Sequence, residues 1–159
     1  MPEVVPRRAG MGLSLKGRAL RYLAAREHSR AELERKLAGF EEEPGQLARV
    51  LDDLLAKGFI SEQRVVESVI NRRSSRMGTM RIKQELQSKG LDAQVVGEAV
   101  ESLKATELQR ARDVWRKKFG TPPADAAERG KQMRFLASRG FGAEVLRRVV
   151  AGSDEDDCL

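Results

Sequence analysis

Apolar residues along this chain recur three and four positions apart, the spacing of one helix face, and each run is closed by glycine, proline or a capping residue. Ser14 heads a first run in which Leu15, Ala19, Leu20 and Leu23 share a face up to about Arg26. Ser29-Arg-Ala-Glu32 has capping-box spacing and predicts a second helix, carrying Leu33 and Leu37 and ending near Gly39-Phe40. Glu41-Glu-Glu-Pro44 predicts the opening of a third, with acid at its positive end and proline at an early position. Its stripe is Leu47, Val50, Leu51, Leu54 and Leu55, and Gly58 closes it. Ser61 caps a fourth run with Val65, Val66, Val69 and Ile70 inward. Thr79 begins a fifth, with Ile82 and Leu86, closed by Gly90. Asp92 caps a sixth, with Val95, Val96, Ala99, Val100 and Leu103. Thr106-Glu-Leu-Gln109 repeats the capping-box spacing and predicts a seventh helix bearing Leu108, Ala111, Val114 and Trp115. After the loop Gly120-Thr-Pro-Pro123, Asp125-Ala-Ala-Glu128 opens an eighth, which ends at Gly140, and residues 143–151 form a ninth.

Two of these stretches are copies. Residues 86–100 and 136–150 share six of fifteen positions, among them Gly90 and Gly140, and Lys89/Arg139 and Leu91/Phe141 are conservative pairs. A repeat of this length predicts stacked units that stabilise one another. The nine helices fall into three sets: 14–60, 61–104 and 105–151. They are flanked by a flexible basic N-terminus (1–13) and a disordered acidic tail (152–159). The expected fold is all-α, an elongated tandem array of three three-helix units.

Composition agrees with helices: Thr and Ile occur three times each, so β-formers other than Val are scarce. The net charge of +6 is unevenly spread. Residues 27–53 carry −4, whereas 64–89, 108–118 and 131–148 carry +5, +4 and +4. Asp154-Glu-Asp-Asp157 returns four negative charges. Such a field favours an acidic partner, either a nucleic acid or an acidic protein groove. Cys158 is the only cysteine, which excludes an internal disulfide or cysteine metal cluster and suits a reducing cytoplasm. No apolar run reaches membrane-spanning length, and the N-terminus lacks a signal-peptide core.

Catalytic chemistry finds no footing. His28 is the only histidine and falls at the end of the first helix, where a cation is favoured. The chain has no phosphate-binding Walker loop, no Cys/His ligand set and no nucleophile elbow, and Glu41–Glu43 have no companion ligands. No cofactor, metal site or membrane is expected. The candidate binding residues are basic. Arg72, Arg73 and Arg76, followed by Arg81 and Lys83, span a helix joint without local acidic partners. Arg112, Arg116, Lys117 and Lys118 form a second patch, and Arg147 and Arg148 a third. Aligned over three units of about 20 Å each, they would make a basic strip about 60 Å long. Trp115 and Phe119 are expected to pack rather than to stack on bases. A sequence-reading helix-turn-helix is disfavoured because the third helix of each set is strongly apolar, although phosphate contacts remain open.

The residues quoted above resemble the RecX regulatory-protein family. The resemblance rests on Ala19-Leu20 to Leu23, Ser29-Arg-Ala-Glu-Leu33, Lys36-Leu37, Leu54-Leu55 and Gly58-Phe-Ile60. It continues through Gly78, Arg81-Ile82, Glu85-Leu86, Lys89-Gly-Leu91 and Leu136-Ala-Ser-Arg-Gly-Phe141, spanning about residues 14–151. Where the family often has an aromatic after the glycine of the middle unit, this chain has Met77-Gly-Thr-Met80. The resemblance implies tandem three-helix units that bind the RecA recombinase filament in its groove. It further implies inhibition of RecA's ATP hydrolysis, strand exchange and coprotease action. The expected protein is a cytoplasmic monomer with RecA as partner and weak DNA contact; the alternative is a direct nucleic-acid binder acting through phosphates.

Overall fold

The computed structural model describes residues 12–152. The expectations of a flexible N-terminus and a disordered acidic tail, and Cys158 with them, fall almost wholly outside the described residues. Among these residues there are eight α-helices, one 3₁₀ turn and no strand: α1 (Leu15–Ala25), α2 (Arg30–Leu37), the 3₁₀ turn (Ala38–Phe40), α3 (Gln46–Ala56), α4 (Glu62–Arg73), α5 (Thr79–Ser88), α6 (Ala93–Lys118), α7 (Ala126–Ser138) and α8 (Ala143–Val150). The chain divides into two compact units, with the boundary inside α4 between Val65 and Val66.

In the N-terminal unit the N-caps of α1 and α2 are where the sequence placed them. The Ser14 hydroxyl accepts the Gly17 N–H at 3.0 Å, and Ser29 and Glu32 form both halves of the capping box. Leu15 and Ala19 of α1, Leu33 and Leu37 of α2, and Leu47, Leu51 and Leu54 of α3 close one core with Ile60. Leu55, expected inward, is exposed. α3 starts later than predicted. Gly45, at φ +83°, turns the chain immediately before Gln46, so the acidic run precedes the helix instead of forming its first turn. Glu41 still serves the positive end, since its carboxylate accepts the Leu47 N–H at 3.1 Å.

His28 is buried, not a helix-end cation. Nδ1 lies 3.0 Å from the Arg26 carbonyl and must donate to it. Nε2 lies 3.1 Å from the Lys36 ammonium and must accept. These partners select the neutral ring. Burial, with the charges of Arg26 and Lys36, holds its pKa below 6.5, and the Arg26 hydrogen bond and Glu32 only partly oppose them.

The C-terminal unit is organised around α6, which packs against α5, α7 and α8. This helix is the main departure from the nine-helix expectation. Residues 106–109 lie in its interior, and the predicted sixth and seventh helices are one. Thr106 does not cap; its hydroxyl donates to the Leu103 carbonyl at 3.3 Å. Gln109 bonds forward to Asp113 at 3.1 Å instead of reaching back. With no glycine or proline between Glu98 and Phe119, nothing breaks the helix. Ala111, Leu136, Phe141, Leu146, Val149 and Val150 form a core flanked by Trp115 and Met133. Asp92 and Asp125 cap α6 and α7, accepting N–H bonds from Gln94 and Glu128, both at 2.8 Å.

Candidate functional site

The joint between α4 and α5, which carries the densest arginine cluster, is fixed by two glycine turns pressed together. The Gly78 N–H donates to the Arg139 carbonyl at 2.7 Å, and the Met80 N–H to the Gly140 carbonyl at 3.3 Å. A Cβ on Gly78 would sit 2.3 Å from the Gly140 carbonyl carbon. Gly140 has φ +90°, and a Cβ there would meet the Arg81 Cβ at 2.5 Å. The glycine of the repeated segment is thus more than the cap of α7: its carbonyl helps to start α5. Having no side chain, Gly78 cannot cap α5 itself. Glu107 does so from α6, where its buried carboxylate accepts the Thr79 N–H at 3.0 Å.

Arg110 holds the same joint. Nη1 donates to the carbonyls of Ser74 at 3.1 Å and Met77 at 2.6 Å. Nη2 donates to Thr79 Oγ1 at 3.2 Å and to the Leu103 carbonyl at 3.0 Å. Half-buried, its pKa is lowered by desolvation, partly offset by Glu107. Neither residue stood out in the sequence, where both belong to a run of charges. The available signal was their spacing, which puts Glu107 and Arg110 beside the buried Ala111 on one face of α6.

All eleven basic candidates lie in the C-terminal unit, where the structure places several of them in separate clefts. Arg73 and Arg81 line a cleft of about 320 Å³ with Met77, Ile82, Gln84 and Glu85. Arg73 has an acidic partner after all, with Nη2 3.4 Å from Glu85 Oε1, a contact made across the α4–α5 joint. Arg72 and Arg76 are exposed, and Arg76 donates to the Arg72 carbonyl at 3.3 Å. Lys83 faces a different cleft, of about 440 Å³, shared with Glu101 and Lys104 of α6.

The second cluster joins residues far apart in sequence. Arg112, Arg116 and Arg148 line a cleft of about 180 Å³ with Trp115, Pro122 and Val149. Arg112 is only 8 % exposed, so it is a wall of the cleft and not a surface charge. Arg116 lies 3.8 Å from Asp113. Lys118 stands over the Phe135 ring at 5.3 Å, while Lys117 and Arg147 are exposed. The aromatics pack, as expected. Trp115 Nε1–H donates to Gln132 Oε1 at 2.9 Å, and Phe119 meets Phe135 edge-on at 5.5 Å. Among the described residues no group of three or more His, Cys, Asp or Glu could hold a metal, and no helix is long and apolar enough to cross a membrane.

Glycine-capped helices bearing two arginine-lined clefts define an all-helical repeat protein with no strand among its described residues. Family models for the RecX first, second and third three-helix domains match residues 16–54, 61–100 and 105–150 in order. The chain belongs to the RecX family of regulatory proteins, which is not an enzyme class. It is 57 % identical to the regulatory protein RecX of Leptothrix cholodnii over 91 % of this chain and 92 % of that one. The RecX of Ralstonia nicotianae is 49 % identical, with 89 % of each chain covered. The fold is shared with the crystal structure of RecX from Lactobacillus salivarius, at TM-score 0.71 and 17 % identity, over 86 % of this chain and 92 % of that one. The junction between the second and third matched domains falls within α6, where helix continuity joins them.

Proposed function

We propose that this protein binds the RecA recombinase filament and restrains it, inhibiting ATP hydrolysis, strand exchange and coprotease action and so modulating recombination and repair in the bacterial cytoplasm. The observation that carries this reading is the ordered match of three RecX three-helix domains across residues 16–150. The clustering of arginines into two clefts of one compact unit supports it, because an acidic groove is met best by fixed guanidinium forks. Substoichiometric amounts of the protein are expected to inhibit RecA ATPase on single-stranded DNA, and undiminished hydrolysis by the cognate RecA would overturn the proposal. Charge reversal at Arg72, Arg73 and Arg76 is expected to weaken filament binding with helicity unchanged.

A second reading, direct contact with nucleic-acid phosphates, is favoured by the cleft of Arg112, Arg116 and Arg148, three guanidiniums around one small volume. The two readings separate in the absence of RecA, where the second predicts firm nucleic-acid binding and the first no more than a weak contact.

A further inference from the structure

The chain leaves its last helix at the rim of the second cleft. Gly152 lies on the cleft wall with Arg112, Arg116 and Arg148, and a Cβ there would meet Pro122 Cγ at 3.8 Å. Its φ of +68° turns the backbone out of α8, and its N–H donates to the Val149 carbonyl at 3.2 Å. Ser153 follows, and then Asp154-Glu-Asp-Asp157, four carboxylates in a row. Covalent geometry bounds their reach. At about 3.6 Å per residue, the Asp154 Cα stays within about 7 Å of the Gly152 Cα, and that of Asp157 within about 18 Å.

Charge decides where so short a run is drawn. The described lining of the cleft carries three guanidiniums and no carboxylate. Arg116 is more than half exposed and meets Asp113 only at 3.8 Å, which leaves its fork donors for another acceptor. Arg148 is half-buried beside it, and Arg112 adds its charge from the wall behind. One force opposes the approach: the last turn of α8 is negative by its dipole, but Arg147 and Arg148 stand in that turn and offset it. An outside polyanion must find the cleft by diffusion, whereas this run is tethered beside it at high effective concentration. We propose that Asp154–Asp157 dock in the Arg112–Arg116–Arg148 cleft, their carboxylates pairing with Arg116 and Arg148, and that a polyanionic partner must displace them. The docking needs no partner; the displacement rests on reading this cleft as a site for nucleic-acid phosphates.

The chain supplies its own reporters. Cys158, the only cysteine, directly follows the acidic run, and Trp115, the only tryptophan, lines the cleft. A nitroxide on Cys158 is expected to broaden the Trp115 Nε1–H signal strongly. Most of that broadening should be lost when Asp154→Asn, Glu155→Gln, Asp156→Asn and Asp157→Asn are combined, which keeps the length of the run and removes its charge. The same loss is expected in Arg116→Ala with Arg148→Ala, helicity unchanged. Equal broadening in the acidic and amide forms overturns the docking, because covalent reach alone then brings the label near. Displacement is read with oligothymidylate. The amide form is expected to bind it about five-fold more tightly than the native chain, the effect of losing a few part-exposed ion pairs. That gain should fall below about two-fold in the Arg116→Ala, Arg148→Ala background, whereas an undiminished gain reports long-range repulsion and overturns the displacement. Oligothymidylate bound by neither form strikes out the displacement together with the nucleic-acid reading and leaves the docking standing. Failure to inhibit RecA likewise leaves the docking standing, since the label is read without RecA.

Discussion

Gly78 and Gly97 are the same residue under opposite constraints. A Cβ at Gly78 collides with backbone that cannot move aside, whereas at Gly97, inside α6, nothing lies within 4 Å. Gly78→Ala is expected to cost about 2 kcal/mol or more in urea unfolding, and Gly97→Ala to gain about 0.5–1 kcal/mol by removing backbone freedom from a helix. His28 makes a pH prediction. Its folded pKa lies below the ordinary 6.5, so between the two values the unfolded chain holds more protons and stability falls as pH drops. Tyr22, Arg26, Glu32 and Lys36 surround the ring, and a proton on Nε2 would face the Lys36 ammonium. Melts from pH 7.5 down to 5.5 should show a steeper loss in the wild type than in His28→Asn. The difference is bounded at about 1.4 kcal/mol per pH unit. Equal slopes would mean that the ring titrates normally.

At the scale of elements, the continuity of α6 is testable at Thr106. A residue serving as N-cap loses about 1 kcal/mol on replacement by alanine; one inside a helix loses nothing or gains slightly. Thr106→Ala is therefore expected to be neutral or stabilising in thermal denaturation. Arg110→Met, which leaves the Ser74 and Met77 carbonyls without their donor, is expected to cost about 2–3 kcal/mol, and Arg110→Lys to recover only part of it. Helix faces and most caps were legible because they are local: Ser14, Ser29, Asp92 and Asp125 act within three residues of themselves. The false boundary at Thr106 has an equally local cause, since Thr-x-x-Gln spacing also suits a helix interior and only the lack of a breaker separates the two. The site was legible only in part. Arg73 and Arg81 announced themselves by density, but Glu85, Glu107 and Arg110 acquire their roles from helices that meet in three dimensions, and no spacing rule encodes that meeting.

At the scale of the molecule, uneven charge sets the expected salt behaviour. The positive segments 64–89, 108–118 and 131–148 lie almost wholly within the C-terminal unit, so association with any polyanion should weaken as salt rises. If the Arg112–Arg116–Arg148 cleft holds phosphate, the double replacement Arg116→Ala and Arg148→Ala should lower the log–log salt slope for single-stranded DNA by about 1.4. An unchanged slope would remove that cleft from nucleic-acid contact.

The fused helix α6 also has a mechanical meaning. Its 26 residues make a rod about 39 Å long. In its second half Glu107 and Arg110 brace the turn beside the first cleft, and Arg112 and Arg116, on the turns that follow, form a wall of the second. The rod therefore works as a ruler. If the proposed reading holds, a partner with matching groups at the spacing of the two clefts would engage both without either having to reorganise. Once the first contact is made, the second is effectively intramolecular. A partner whose repeat differs from the ruler would gain the grip of only one cleft.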